Sequence, residues 1–294
     1  MKIGFIGLGQ MGKHMALNLL NSGNKIIVCD LKTDSFKDFI SKDIETTTNV
    51  LDIIHTEVIF LSLPNTKIVN EILFGEKGFI KYSGKVQTII DLSTISYKGT
   101  LKIAHRLKKE NISFIDAPVS GGEERAKKGT LTVMCGGAKN IFEEIKPLLK
   151  FIGNKIIYMG SSGKGQLTKL INQLLYDINI AALSEILPMS TKLGLDPEKI
   201  GKVVNSSSGK SYASDFFISR ILKGQFYGTY SLKNAYKDLV SAAVISADFC
   251  VPLPVLHAAT VTYQMALLKG YGDSDKSSMI KIYEELLDSN FRAN

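Results

Sequence analysis

A run of closely spaced glycines near the N-terminus has the spacing of a phosphate-binding turn. It reads Gly7-Leu8-Gly9-Gln10-Met11-Gly12, directly after the apolar segment Lys2–Ile6 and before apolar residues at helical spacing. The first glycine permits a tight turn, the second lets a pyrophosphate approach the backbone, and the third lets helix pack on strand. Free N–H groups at the helix N-terminus favour bound phosphate. The run therefore predicts a dinucleotide site.

Asp30 supports this interpretation because it ends a second apolar segment beyond the glycines. The dinucleotide fingerprint requires an acidic residue about 20 residues after its glycines, where the carboxylate hydrogen-bonds the ribose hydroxyls. A carboxylate would also repel a 2′-phosphate, so the sequence favours NAD over NADP. Lys32 lies two residues further on and could weaken that preference, which leaves NADP open. A structural glycine turn in another kind of α/β protein is the alternative.

Lys169 is the residue best suited to proton transfer. It follows the run Gly163-Lys164-Gly165 near the start of a predicted helix, and Gln173 lies four residues further on, on the same helix face. A partly buried lysine near a helix N-terminus tends towards a lowered pKa, which suits proton exchange with an alcohol. The alternative is a solvated lysine on a helix face, the usual state of a lysine.

Three loops complete the set of candidate site residues. In the run Asp116-Ala117-Pro118-Val119-Ser120-Gly121-Gly122, a serine and two glycines offer a hydroxyl and backbone N–H groups to a carboxylate. Two other loops follow predicted strands, at the edge of an open α/β sheet where ligands bind. They contain Leu63, Pro64, Asn65 and Thr94. Ordinary turn chemistry is the alternative for all three loops.

Short β-branched segments alternate with helical segments over the first 160 residues, which predicts an α/β fold with a mostly parallel sheet. The predicted strands cover residues 2–6, 25–30, 57–63, 86–91, 112–115, 130–135 and 155–158, with helices at 11–22 and 98–109 among the segments between them. Beyond Gly160 helical periodicity dominates. The predicted helices there cover residues 166–193, 197–205, 212–222, 231–247, 253–268 and 276–287.

Two domains follow from this change in pattern. We expect a Rossmann-type dinucleotide-binding domain at residues 1–162. An all-α domain for substrate binding and oligomerisation should follow at residues 163–294, beginning with a long interdomain helix.

Composition narrows the class of protein. The 294 residues are 45% hydrophobic and 22% charged, with a net charge of +8 and three widely spaced cysteines. Neither a basic stripe nor metal-ligand spacing is visible, so no nucleic-acid or metal partner is predicted. No apolar segment reaches the roughly 18 residues of a membrane span, and glycines interrupt the N-terminal apolar run, unlike a signal peptide. A soluble cytoplasmic protein in a reducing compartment is expected.

Taken together, the motifs resemble those of the β-hydroxyacid dehydrogenases, a family that includes 3-hydroxyisobutyrate dehydrogenase and tartronate semialdehyde reductase. The resemblance covers essentially the whole chain. It rests on the run Gly7–Gly12, the run from Asp116 to Gly122 that continues to Gly129-Thr130-Leu131, the segment Gly163-x-Gly165-x-x-x-Lys169, and Lys237-Asp238-Leu239.

The resemblance implies roles for individual residues. Lys169 matches the catalytic lysine, and Ser120, Gly121 and Gly122 match the loop that binds the substrate carboxylate. Thr94 and Lys237 match cofactor contacts. The family usually has asparagine four residues after the lysine, whereas this chain has Gln173 preceded by Asn172. That form resembles the tartronate semialdehyde reductase branch, and it leaves open which amide contacts the substrate.

The implied activity is reversible hydride transfer between NAD or NADP and a short 3-hydroxy acid, similar to 3-hydroxyisobutyrate or glycerate, by a homodimer or homotetramer. The alternatives are a related imine or semialdehyde reductase, a 6-phosphogluconate dehydrogenase relative, and a non-catalytic dinucleotide-binding regulator. Non-catalytic relatives tend to lose the lysine at position 169, so its presence favours an enzyme.

Overall fold

The computed structural model describes residues 1–82, 84–228 and 230–293. Its chain divides into two compact units, Met1–Lys169 and Leu170–Asn294. The domain boundary predicted from the sequence, between residues 162 and 163, precedes the long helix that this division cuts, and it stays a prediction. Ser83, Thr229 and Asn294, which the predicted domains include, lie outside the described residues.

Strands and helices alternate in the first unit. The strands are β1 (Lys2–Ile6), β2 (Lys25–Cys29), β3 (Glu45–Thr47), β4 (Val58–Leu61), β5 (Thr88–Asp91), β6 (Ser113–Asp116), β7 (Val119–Ser120), β8 (Leu131–Gly136) and β9 (Gly153–Gly160). The helices are α1 (Gly12–Leu19), α2 (Lys37–Ile40), α3 (Thr66–Phe74), α4 (Tyr97–Lys109), α5 (Gly122–Lys127), α6 (Lys139–Leu149) and the beginning of α7 (Lys164–Lys192). Short 3₁₀ turns cover Leu20–Ser22, Thr33–Phe36, Val50–Ile53 and Phe79–Tyr82.

The strands form one sheet in the order β3-β2-β1-β4-β5-β6-β8-β7, and β9 pairs with β8. All pairs from β3 to β6 are parallel, which places the carboxyl ends of those strands at one edge. The predicted mostly parallel Rossmann-type sheet is confirmed. Strand β8 differs, because it runs antiparallel to both β6 and β7. Only Ala117 and Pro118 separate β6 from β7.

Both faces of the sheet are buried, as a parallel sheet covered by helices requires. Successive residues of one strand point to opposite faces. On β2, for example, Val28 belongs to one apolar cluster and Ile27 to the other, and on β4 the same division separates Phe60 from Ile59. This alternation fixes the register of the strands, and therefore the position of every loop at the carboxyl edge.

The second unit is helical, as predicted. After the remainder of α7 come α8 (Pro197–Ser206), α9 (Tyr212–Leu222), α10 (Leu232–Phe249), α11 (Pro254–Leu268) and α12 (Ile280–Leu287), with 3₁₀ turns at Tyr271–Asp273 and Lys276–Met279. The connection from α7 to α8 follows the sequence signals. Gly194 has a φ of +81°, and the Asp196 side chain accepts a hydrogen bond of 2.9 Å from the Lys199 N–H. No described helix is both long and apolar enough to cross a membrane.

An ion pair lies inside the helical unit. Lys276 Nζ is 2.5 Å from Asp177 Oδ1, and the two side chains are 1% and 0% exposed. The ammonium also lies 3.9 Å from the centre of the Tyr176 ring. Burial lowers the pKa of Lys276, and the Asp177 carboxylate opposes that shift. The pair is therefore held by mutual attraction in a place where either charge alone would be costly.

We expect Lys276→Met to destabilise the protein by about 3–5 kcal/mol, because the Asp177 carboxylate would remain buried without its cation. Urea unfolding followed by circular dichroism measures the change. Lys269→Met is a matched control, since Lys269 pairs with Glu285 at 2.6 Å on the surface and its loss should change little. Adding Asp177→Leu to Lys276→Met should recover much of the loss. Equal effects of the two lysine substitutions would contradict the expectation.

Candidate active site

The glycine run forms the turn between β1 and α1. Gly7 has a φ of +97°, and a β-carbon there would lie 2.2 Å from the Ser62 carbonyl oxygen. A β-carbon on Gly12 would lie 2.0 Å from the Gly7 carbonyl oxygen, whereas one on Gly9 would meet nothing within 4 Å. The first and third glycines are thus required by close packing, and the second borders open space. This geometry fits the approach of a pyrophosphate, which stays a prediction.

Asp30 connects the glycine turn to the end of β2. Its Oδ2 accepts a hydrogen bond of 2.6 Å from the Leu8 N–H, and its Oδ1 accepts one of 2.8 Å from the Lys32 N–H. A carboxylate has about four acceptor positions, so both oxygens can still accept from ribose hydroxyls. The two backbone bonds hold the carboxylate in place, and the residues present fit the adenosine end of a dinucleotide.

The loop predicted to bind a carboxylate lies between β7 and α5. Gly121 and Gly122 have φ values of +142° and +73°, conformations that other residues rarely adopt. Ser120 ends β7. The glycine turn approaches this loop, because Gln10 Nε2 donates a hydrogen bond of 2.7 Å to Glu123 Oε2 in the first turn of α5. The predicted cofactor turn and the predicted substrate loop are therefore neighbours.

Asp116 fixes the beginning of α7, the helix that carries Lys169. Its side chain accepts hydrogen bonds from the N–H of Gly163 at 2.7 Å and from that of Gln166 at 3.0 Å. The approach needs glycine at position 165, where a β-carbon would lie 2.3 Å from the Met134 carbonyl oxygen. The glycines before the lysine thus allow the helix N-terminus to contact the end of β6.

The predicted loops after β4 and β5 are joined to each other. The Leu63 N–H donates a hydrogen bond of 2.8 Å to Ser93 Oγ. Pro64 follows Leu63, and Asn65 caps α3 by accepting a hydrogen bond of 3.0 Å from the Ile68 N–H. Thr94, next to Ser93, is exposed. The four predicted residues of these loops therefore lie at the carboxyl edge of the parallel strands.

Lys169 is buried, with 8% of its surface exposed, in the second turn of α7. Asn172 and Gln173 follow on the same helix, in the second unit, where Asn172 is exposed and Gln173 is half-buried. Lys237 is an exposed residue of α10. The roles of these four residues stay predictions.

Sequence reasoning gave no role to Asp91, Asp116, Ser93 or Gln166. All four are buried polar residues at the carboxyl edge or at the start of α7. Buried polar side chains are normally hydrogen-bonded, so each needs a specific partner. The position of Asp91 and Asp116 at the ends of predicted strands was the available signal, although their partners are far away in sequence.

Asp91 and Asp116 form a pair of neighbouring carboxyl groups. They occupy the same register position on the parallel strands β5 and β6. Burial raises the pKa of each from 3.8 to about 7, although hydrogen bonds partly oppose the shift, from the Ser93 side chain and N–H for Asp91 and from backbone N–H groups for Asp116. The charge of Asp116 raises the pKa of Asp91 further. Ionisation of this pair therefore costs the folded state free energy.

The raised pKa values predict how stability depends on pH. Well below pH 4 both carboxyls are protonated in the folded and unfolded chain, and their contribution is most favourable. As the pH rises from about 4 to 7 only the unfolded chain ionises freely, so this contribution is lost. We expect the free energy of unfolding of Asp91→Asn to rise by roughly 2–4 kcal/mol relative to that of the unsubstituted protein across that window. Urea unfolding at several pH values measures the difference, and a difference that does not change with pH would contradict the prediction.

Comparison with known proteins places this chain in a family. Residues 2–160 match the family model for the NAD-binding domain of 6-phosphogluconate dehydrogenase. Residues 163–283 match the model for the NAD-binding region of NADP-dependent 3-hydroxyisobutyrate dehydrogenase. Together the two models cover both units.

Individual relatives agree with the family models. The chain is 37% identical to 2-(hydroxymethyl)glutarate dehydrogenase of Eubacterium barkeri, over 97% of this chain and 95% of that protein. It is 33% identical to 2-hydroxy-3-oxopropionate reductase of Escherichia coli, over 97% of both chains. The crystal structure of 3-hydroxyisobutyrate dehydrogenase from Salmonella typhimurium superimposes with a TM-score of 0.86 at 26% identity, over 96% of this chain and 99% of that one.

The chain belongs to the β-hydroxyacid dehydrogenase family, which confirms the resemblance seen in the motifs. It is accordingly a hydroxyacid oxidoreductase that depends on NAD or NADP.

Proposed function

We propose that this protein reversibly oxidises a short 3-hydroxy acid to the corresponding semialdehyde, with Lys169 as the general acid and base. The observation that carries the proposal is a buried lysine on a helix whose N-terminus is hydrogen-bonded to the sheet edge where the glycine turn lies. Two relatives named above act on compounds of this kind. Each name describes an acid with an oxidisable or reducible carbon one position beyond the α-carbon.

Each of the predicted site residues has a separate role in this reaction. The bound nicotinamide supplies the hydride acceptor for oxidation and the hydride donor for reduction. Ser120 and the N–H groups of Gly121 and Gly122 hold the substrate carboxylate, which fixes the position of the reacting carbon. Lys169, in its neutral form, takes the hydroxyl proton during oxidation, and in its charged form returns it during reduction. Gln173 or Asn172 orients the substrate oxygen.

Three further features belong to the proposal. Asp30 gives a preference for NAD, with NADP as a second cofactor, and Thr94 and Lys237 contact the bound cofactor. The buried free thiols of Cys29 and Cys135 suit the reducing conditions of the cytoplasm. A homodimer or homotetramer is supported by apolar side chains exposed on the second unit. They include Ile171, Leu175, Ile186, Met189, Val240 and Val244.

The test is turnover of purified protein with NADH and NADPH on a panel of short hydroxy acids, semialdehydes and cyclic imines. We expect activity on at least one three- to six-carbon 3-hydroxy acid or its semialdehyde. Lys169→Ala should lower kcat roughly 10²–10⁴-fold and leave NADH affinity unchanged, because the lysine acts on the substrate proton. Lys164→Ala, at an exposed position on the same helix, is the control. Near-normal turnover by Lys169→Ala, or activity on imines alone, would refute the proposal.

The cofactor preference has its own test. We expect Asp30→Asn to lower kcat/KM with NADH and raise it with NADPH, changing their ratio roughly 10- to 100-fold. The substitution removes both the charge that binds the ribose hydroxyls and the charge that repels a 2′-phosphate. Asp34→Asn, at an exposed position of the 3₁₀ turn Thr33–Phe36, should leave the ratio unchanged. If Asp30→Asn also leaves the ratio unchanged, another group sets the preference.

A further inference from the structure

We propose that Gln166 is a positioning residue, which holds the loop carrying Thr94 and the helix carrying Lys169 in one fixed arrangement. The inference rests on the proposed function, since it takes Thr94 as a cofactor contact and Lys169 as the proton-transfer group. All the residues involved belong to the first unit, where Gln166 occupies the first turn of α7 and is 3% exposed.

The Gln166 amide binds the backbone on both sides of Thr94. Its Nε2 donates a hydrogen bond of 2.6 Å to the Ser93 carbonyl oxygen, and its Oε1 accepts one of 3.1 Å from the Ile95 N–H. A carbonyl can only accept and an N–H can only donate, so these partners fix the orientation of the amide. Ser93 and Ile95 are buried, whereas Thr94 is exposed between them. The two hydrogen bonds therefore hold Thr94 at a defined position.

Ser93 connects this loop to the loop after β4. Its Oγ accepts a hydrogen bond of 2.8 Å from the Leu63 N–H, and its own N–H donates one of 3.0 Å to Asp91 Oδ1. Hence the loops after β4 and β5, both predicted to contact cofactor, are joined to one helix through a single amide side chain. Loss of that amide would remove the hydrogen bonds that connect both loops to α7.

The backbone of Gln166 is also held in place. The Gln166 N–H donates to Asp116 Oδ2, so the backbone that carries the amide is anchored to the end of β6. Lys169 follows Gln166 by three residues, which places it about one helical turn further on, near the same side of the helix. A shift of the loop is therefore transmitted to the start of α7. Hydride and proton transfer need the cofactor and the lysine at matched positions, and an error of about 1 Å can lower the rate roughly 100-fold.

A purely structural role would have a different signature. A buried amide also contributes to folding, and its loss leaves the Ser93 carbonyl and the Ile95 N–H without this partner. A variant affected only in stability would contain fewer folded molecules, each with normal cofactor affinity. A variant affected in positioning would bind NADH more weakly and turn over more slowly in every folded molecule.

The experiment compares Gln166→Met, which keeps the side-chain length but loses both hydrogen bonds, with Gln166→Asn, which keeps the amide but shortens its reach. Gln264→Met is the control, because Gln264 donates a surface hydrogen bond to the Tyr236 hydroxyl on the second unit. NADH affinity is measured by fluorescence titration, with the binding stoichiometry giving the folded fraction. Turnover per binding site and the thermal midpoint are measured on the same samples.

We expect both Gln166 variants to bind NADH roughly tenfold more weakly, through the loss of a preorganised loop. Their kcat per binding site should fall roughly 10- to 100-fold, and Gln264→Met should match the unsubstituted protein. Unchanged NADH affinity and unchanged kcat per binding site in a folded variant would overturn the inference, whatever the thermal midpoint. The NADH titration needs no substrate. It therefore decides on Gln166 even if the unsubstituted protein binds NADH and turns over no hydroxy acid, a result that would refute only the proposed function.

Discussion

The hydrogen bonds between Asp116 and the N-terminus of α7 are the constraint on which the first unit depends. They join the carboxyl end of β6 to the helix that carries Lys169, with N–O distances of 2.7 and 3.0 Å. The contact also determines which residue types can lie beside it. A β-carbon at Gly136 or Gly165 would lie within 2.8 Å of the Asp116 carboxylate, so the strand and the helix can meet there only without side chains. One carboxylate thus accounts for a glycine at the end of β8 and for another at the start of α7.

The other loops at this edge are held in the same way, by a side chain that binds backbone groups. Asp30 holds the glycine turn, Ser93 holds Leu63, and Gln166 holds Ser93 and Ile95. Loops carry many backbone groups that no ladder satisfies, and a buried side chain can satisfy them at a fixed position. The predicted binding surface is consequently made of exposed residues, such as Thr94, beside buried polar ones.

The sequence was sufficient for the fold where apolar patterns are long, and β1 was predicted with its observed ends. It missed β3 and β7, which have three and two residues and are too short to show a period. The sequence also did not show that β8 runs antiparallel to β6 and β7, because that direction depends on the connection between β7 and β8. The glycine turn and Asp30 were predictable because their spacing is local. The roles of Asp116 and Gln166 were not, because their partners lie 47 and 73 residues away in the chain.

The two units also differ in the signs of their neighbouring buried charged groups. In the helical unit Lys276 and Asp177 have opposite signs, so burial is offset by attraction. At the sheet edge Asp91 and Asp116 have the same sign, burial raises the cost of ionising each of them, and the charge of Asp116 adds to the cost for Asp91. Stability alone would favour a neutral side chain at position 91, and destabilising arrangements tend to persist where function requires them. Asp116 binds the helix N-terminus and Asp91 binds the Ser93 N–H, so the repulsive pair lies at the edge where the motifs predict the site. The electrostatic cost of the pair is thus a physical reason, independent of the motifs, to expect the active site at this edge.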